Sequence, residues 1–378
     1  MTSETPQPET GSNGTQELRV LDLRGLWWLW SLVFIAMLAI SLRLLLPAMQ
    51  GGGLAVQQGT LSLADYGFST SNSLIPLEHF TPSGLPRDGI HSLQDPPVVQ
   101  GSEVPEINKR ERRLYHRKFI VSGDRVVGVS LNGEQRAYQI NILNYHEIVN
   151  DTLGGVPIAV VYCPLTDSAT VFSREVDGEI LEFGSSGLLI NSNIVMYDRR
   201  SQLAESSLWS QLQLRAVAGP MAGSGLELLP ADLSHWGEWL AQYPDTTLLA
   251  RETGEPRDYN SNPYLRYYEI GEPRFPVDPP PPADGLKAMD RVFALQDAAG
   301  WKLVSFADVE RLAGDDRVLE LSGLSLQFIP YSSTLDPPAV LARDADGNCL
   351  TGISALWFAW HAMYPDAQLI DPVELASR

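Results

Sequence analysis

Apolar and polar positions alternate in short runs along most of the chain, and the first long departure lies near the N-terminus. From Leu26 to Leu42, "LWWLWSLVFIAMLAISL" holds no charged residue, and "RLLLPAM" extends it to about 24 residues, enough to cross a ~30 Å hydrocarbon layer. The pattern predicts one transmembrane helix over 25–49. Trp27, Trp28 and Trp30 suit one interface, and Arg43 can extend its guanidinium toward the other. The apolar core is too long and too rich in tryptophan for a cleaved signal peptide, and no small-residue cleavage pattern follows it.

Residues 50–106 are rich in Gly, Ser and Pro and carry few periodic apolar runs, which predicts an irregular stem. The pattern then turns β-rich. In "RVVGVSLNGEQRAYQINIL", two apolar runs flank Asn132-Gly133, the pair that favours a type I′ hairpin turn. "YHEIVNDTLGG" reads as a short helical turn, and "VPIAVVY" as a buried strand that delivers Cys163 at its end. Asp177-Gly178 marks another hairpin, while "NIVMYDRR" and "SLWSQLQLRAVAG" read as two further strands. In "LSHWGEWLAQYPD", Trp236, Trp239, Leu240 and Tyr243 share one helical face, and Pro244 ends the pattern. A main β-rich domain is therefore expected over 107–275, followed by a proline-dense linker over 276–289.

The aromatic helix recurs. Trp357, Trp360, Tyr364, Pro365 and Asp366 stand at one constant offset from Trp236, Trp239, Tyr243, Pro244 and Asp245. "DRVFALQDAAGWKLVSFADV" from Asp290 likewise parallels "DRVVGVSLNGEQRAYQINIL" from Asp124. The matches keep their order, so residues 290–378 read as a degenerate second copy. The second offset is the shorter, which implies a copy without much of the middle, including any counterpart of the Cys163 segment. The expected fold is α+β and β-rich: a single N-terminal transmembrane helix, then an extracytoplasmic domain with a degenerate internal duplication.

Composition narrows the function classes. The 378 residues are 44% hydrophobic, so the chain has a core to bury, and a formal net charge of −19 argues against nucleic acid as a partner. The polar residues 1–24 read as a disordered tail. Arg19 and Arg24 precede the span, whereas no Lys or Arg follows Arg43 until Arg87. The positive-inside rule then puts the tail in the cytoplasm and the main domain outside it. In an oxidising compartment, Cys163 and Cys349 are either a disulfide pair or two free thiols.

"VPIAVVYCPLTDSATVF", together with "YHEIVND", "GLLINSNIVMYDRR", "SLWSQ", "AVAGP" and "WGEWLAQYPDTTLL", resembles the domain-of-unknown-function family numbered 3179, and "WFAWHAMYPD" resembles its usual C-terminal ending. The resemblance implies a membrane-anchored or exported protein and brings no established activity. In many members the Cys-Pro-Leu stretch continues with a second cysteine or with selenocysteine. Here that position is Thr166, which removes the second thiol.

Three chemistries compete for these residues. The first is thiol redox or thiol handling at Cys163: a cysteine leaving a buried strand before a turn can have its thiolate stabilised by free backbone N–H groups. Thr166 would donate a hydrogen bond to it, and Cys349 would resolve a mixed disulfide if the fold brings the two together. The second is a soft-metal site, with copper bound by His146, Cys163 and Met196, since imidazole, thiolate and thioether together suit that metal. The third is an interaction module with no reaction. Gln211, on one face with Trp209, is a candidate polar group of the site, His146 pairs with Glu147 in a structural alternative to ligation, and Asp198 is expected to pair with Arg199. Neither a phosphate loop, a G-x-S-x-G elbow nor an H-E-x-x-H motif occurs in the chain. No cofactor is identified, and the partner, whether a protein, a small thiol or a metal ion, is left open apart from the membrane itself.

Overall fold

The computed structural model describes residues 31–32, 34–37, 61–297, 300–321, 324–330 and 337–370. The tail expected over 1–24, most of the span expected over 25–49 and the start of the stem lie outside the described residues. The chain divides into two units, residues 1–53 and 54–378. In the first, residues 31–32 and 34–37 are helical, and Leu32, Phe34, Ile35 and Met37 are exposed. Among the described residues no helix is long and apolar enough to cross a membrane.

The second unit is β-rich with short helices. Strands Arg125–Leu131 and Glu134–Gln139 form the expected hairpin, with Asn132 and Gly133 at φ 48° and 85°. Helix Ile140–His146 leads into an antiparallel meander of Ile148–Leu153, Val156–Cys163 and Ser168–Ser173. The helix stops one residue earlier than "YHEIVND" suggests, because Glu147 takes φ 56°, a left-handed geometry that an α-helix cannot propagate. Strand Asp232–His235 returns beside Arg125–Leu131, helix Trp236–Gln242 follows, and Thr247–Leu249 runs parallel to Glu134–Gln139.

The same plan recurs in the C-terminal part, register for register. Val126 faces Gln139 in the first hairpin as Val292 faces Ser305 in the second. His235 faces Arg125 as Leu356 faces Arg291, and Thr247 lies opposite Arg136 as Gln368 lies opposite Lys302. The entry to the aromatic helix is also shared: Trp236 N donates to Asp124 O at 2.8 Å and Trp357 N to Asp290 O at 2.7 Å. After helix Phe306–Leu312 comes a meander of Val318–Leu321, Leu324–Ile329 and Ala339–Asp344, in the place held by the meander that bears Cys163. The expectation that the second copy lacks this region is therefore corrected. Among its described residues there is no counterpart of the five-stranded sheet built from Phe80–Pro82, Phe183–Ile190, Asn193–Asp198, Leu208–Ser210 and Arg215–Ala218.

That sheet is the central layer. One face packs Phe183, Met196 and Trp209 against Val161, Cys163 and Phe172 of the first meander. The other packs Leu188, Val195 and Leu208 against Val292, Ile353 and Trp360 of the C-terminal substructure. The "SLWSQLQLRAVAG" segment serves it as two strands rather than one, broken by a turn in which Leu214 has φ 55°. The stem is more ordered than its composition suggests. Phe80–Pro82, Leu93–Gln94 and Val98–Gln100 each add an edge strand to a different sheet, which caps three otherwise open edges.

Candidate functional site

Successive side chains of a strand point to opposite faces, and Val156–Cys163 obeys this: Ile158, Val160 and Tyr162 enter one core cluster, and Ala159, Val161 and Cys163 another. The chain then turns through Pro164–Asp167 to Ser168, which pairs with Cys163. Most of the turn's backbone carbonyls are engaged. Tyr268 Oη donates to Pro164 O at 2.6 Å, Tyr267 Oη to Leu165 O at 2.7 Å, and Leu356 N, from the C-terminal substructure, to Thr166 O at 2.8 Å.

Both cysteines are free, so the disulfide alternative is not realised. Cys163 is 1% exposed. Burial pushes its thiol up to about 11, with the charge of Glu147 adding to the rise and the Thr166 hydroxyl offsetting only part of it. Thr166 Oγ1 lies 2.8 Å from Ser168 Oγ and accepts from Asn193 Nδ2 at 3.0 Å. Gln211 completes that buried network: its Oε1 accepts from Ser168 Oγ at 2.9 Å and Asn193 Nδ2 at 2.8 Å, and its Nε2 donates to Val161 O at 3.2 Å. Cys349 sits with its Sγ 3.4 Å from Asp232 Oδ1, and burial, then that carboxylate, raises its pKa.

The three candidate copper ligands divide. Met196 and Cys163 share one apolar cluster. His146 has its Nδ1 2.7 Å from His91 O and its Nε2 2.7 Å from Tyr259 Oη, so both ring nitrogens are engaged, neither of them with Glu147. Among the described residues no group of three or more His, Cys, Asp or Glu side chains could hold a metal ion. Glu147 itself is buried with no hydrogen bond to its carboxyl among the described residues, and desolvation pushes that group up to about 8. Asp198 pairs with Arg200 rather than Arg199, at 2.5 Å, and also accepts from Ser207 N and Trp209 Nε1, whereas Arg199 reaches Asp88 of the stem.

The last residue of the turn does most to organise the region. Asp167, 1% exposed, accepts from Arg125 Nη1 at 2.8 Å and Tyr162 Oη at 2.9 Å on Oδ1, and from Arg291 Nε at 2.7 Å on Oδ2. Burial works to raise its pKa, but the two guanidinium groups outweigh it and hold the carboxyl below the usual range. Burial likewise opposes the charge on Arg125, and Asp167 more than restores it. Arg125 and Arg291 open each copy's hairpin, so the duplicated plan itself brings them together. The one hint in the sequence is the Asp-Arg pair that begins both matched segments, Asp124-Arg125 and Asp290-Arg291.

Beside this cluster lies a cleft of about 220 Å³, lined by Arg125, Arg291, Asn144, Asn262, Tyr162 and Tyr268 among others. Arg125 is 5% exposed, and its Nε, closed off from solvent, has no hydrogen-bond partner among the described residues.

Fold and site define a β-rich α+β domain whose two related substructures meet on one buried carboxylate. A family model described as a protein of unknown function (DUF3179) matches residues 87–321, and the chain belongs to that family. No curated protein and no solved structure matches the chain.

Proposed function

We propose that the protein is a membrane-anchored, extracytoplasmic binding module whose ligand occupies the cleft between its two duplicated halves. The observation that carries this reading is the cleft itself: it is bordered by one arginine from each half, Arg125 and Arg291, and by further polar groups. Cys163 acts as a core residue in this account, because a buried thiol held at about 11 is almost wholly protonated at neutral pH and a poor nucleophile. Anchoring is supported by the charge-free run Leu26–Leu42 and by the exposed apolar side chains of Leu32, Phe34, Ile35 and Met37. The orientation rests on Arg19 and Arg24 ahead of that run.

A second reading, a soft-metal site, draws on Cys163 and Met196 sharing one apolar cluster. It requires His146 to give up a bond to His91 or Tyr259.

The test is a thermal-stability screen of the full chain in lipid nanodiscs against small molecules of every charge class, beside Leu265→Trp, which puts a larger side chain on the cleft wall. Compounds that stabilise the wild type and not the variant support the binding module. A screen in which no compound does so, or in which Cu(I) alone stabilises both proteins equally, contradicts it.

A further inference from the structure

We infer that the cleft takes a small organic monocarboxylate, with its carboxylate on Arg125 and Arg291 and its apolar body against Leu265, Met289 and Leu356. The inference rests on the reading of this cleft as the binding site and adds the chemistry of the ligand.

The charge count is the first support. Two other arginines that reach buried carboxylates are balanced one to one, half-buried Arg136 with Asp151 and half-buried Arg343 with Asp232. Here two guanidinium groups share a single carboxylate, which leaves one positive charge in excess. Water reaches Arg291 only in part, so the excess charge is incompletely screened; one further carboxylate brings the sum to zero where a dianion would overshoot it.

Donor geometry is the second. Arg291 spends its Nε on Asp167 and is 21% exposed, while Arg125 spends its Nη1 and has its Nε closed off from solvent, so the donors left to a ligand are the remaining Nη groups of the two side chains. Planar guanidinium groups with unused N–H donors match the planar oxygens of a carboxylate.

Size and wall chemistry are the third. A 150 Å³ apolar cavity holds one benzene, so about 220 Å³ admits a ligand of roughly eight to ten non-hydrogen atoms. The leucine and methionine walls select an apolar body, and Asn144 and Asn262 can bond a second polar group on it.

The experiment is titration calorimetry on the full chain in nanodiscs with benzoate, hexanoate, benzamide and inorganic phosphate. Because Arg125→Gln would threaten folding, Arg291→Gln and Leu265→Trp are the variants used. Saturable binding of at least one carboxylate is expected, weakened on the order of tenfold or more in Arg291→Gln and lost in Leu265→Trp, which leaves the ion cluster intact. Benzamide, the neutral analogue, is expected not to bind. Absence of binding by both carboxylates, or affinities unchanged in both variants, overturns the inference. Benzamide binding as tightly as benzoate, or phosphate binding in place of the carboxylates, overturns the ligand class alone and leaves the binding-module reading standing if Leu265→Trp abolishes it.

Discussion

Arg125 and Arg291 open equivalent strands of the two related substructures, and their guanidinium groups meet on the same carboxylate: Arg125 Nη1 lies 2.8 Å from Asp167 Oδ1, and Arg291 Nε lies 2.7 Å from Asp167 Oδ2. The residue they share ends the turn that begins at Cys163. A segment that looks like a redox motif in sequence thus acts as the joint between the halves.

Removing that carboxylate should be severe. Asp167→Asn leaves two guanidinium groups facing one another with Arg125 fully desolvated, and is expected to cost about 3–5 kcal/mol in denaturant unfolding. Arg291→Gln, at a partly exposed partner, should cost less, about 1–3 kcal/mol. Equal stability of Asp167→Asn and wild type would remove the joint from the account.

The same carboxyl sets the acid limb. Its folded pKa lies below the unfolded value, so its contribution is full above about pH 4 and is lost as pH falls through the folded pKa. Wild type should therefore lose stability in acid more steeply than Asp167→Asn, as read from denaturation midpoints between pH 2 and 5, roughly the window of carboxyl titration.

Glu147 has the opposite sign. Its carboxyl is raised from 4.5 to about 8, so its contribution is full below about pH 4.5 and is lost as pH rises through 8. Each pH unit inside that window should lower stability by up to about 1.4 kcal/mol. Glu147→Gln is expected to flatten the profile between pH 5 and 9, roughly that same window, and an unchanged slope would show that Glu147 is solvated.

Gly128 lets the first hairpin approach Trp239 of its aromatic helix closely. A Cβ built there would lie 2.2 Å from the ring of Trp239. Gly128→Ala should cost about 1–3 kcal/mol, with a lowered thermal midpoint, because the indole sits in a filled core and must be displaced.

Features set by neighbouring residues were legible in the sequence. Asn132-Gly133 and Asp177-Gly178 both turn hairpins, since the positive φ each needs is a property of the dipeptide. Trp236 and Trp239 form one buried face for a similarly local reason. The site was not legible in the same way. Nothing near Arg125 specifies that its partner comes from the Cys163 turn, or that Arg291 joins it there, because that choice is made by the packing of strands far apart in sequence. Arg199 illustrates the limit on a small scale: it passes over the adjacent Asp198 for Asp88, on a stem whose strands of two or three residues are too short to show periodicity. The apolar run "VPIAVVY" located Cys163 correctly at a strand end but could not reveal that the thiol lies inside the core.

The most direct measurement is the native-state alkylation rate of Cys163 across pH in the full chain carrying Cys349→Ser. The account predicts a thiol that is silent from pH 6 to 9, where a free cysteine of pKa about 8.5 would already react, and that becomes labelled on unfolding. Rapid native labelling with an apparent pKa below about 8.5, rising on Thr166→Val, would contradict it and return the chemistry to the thiol.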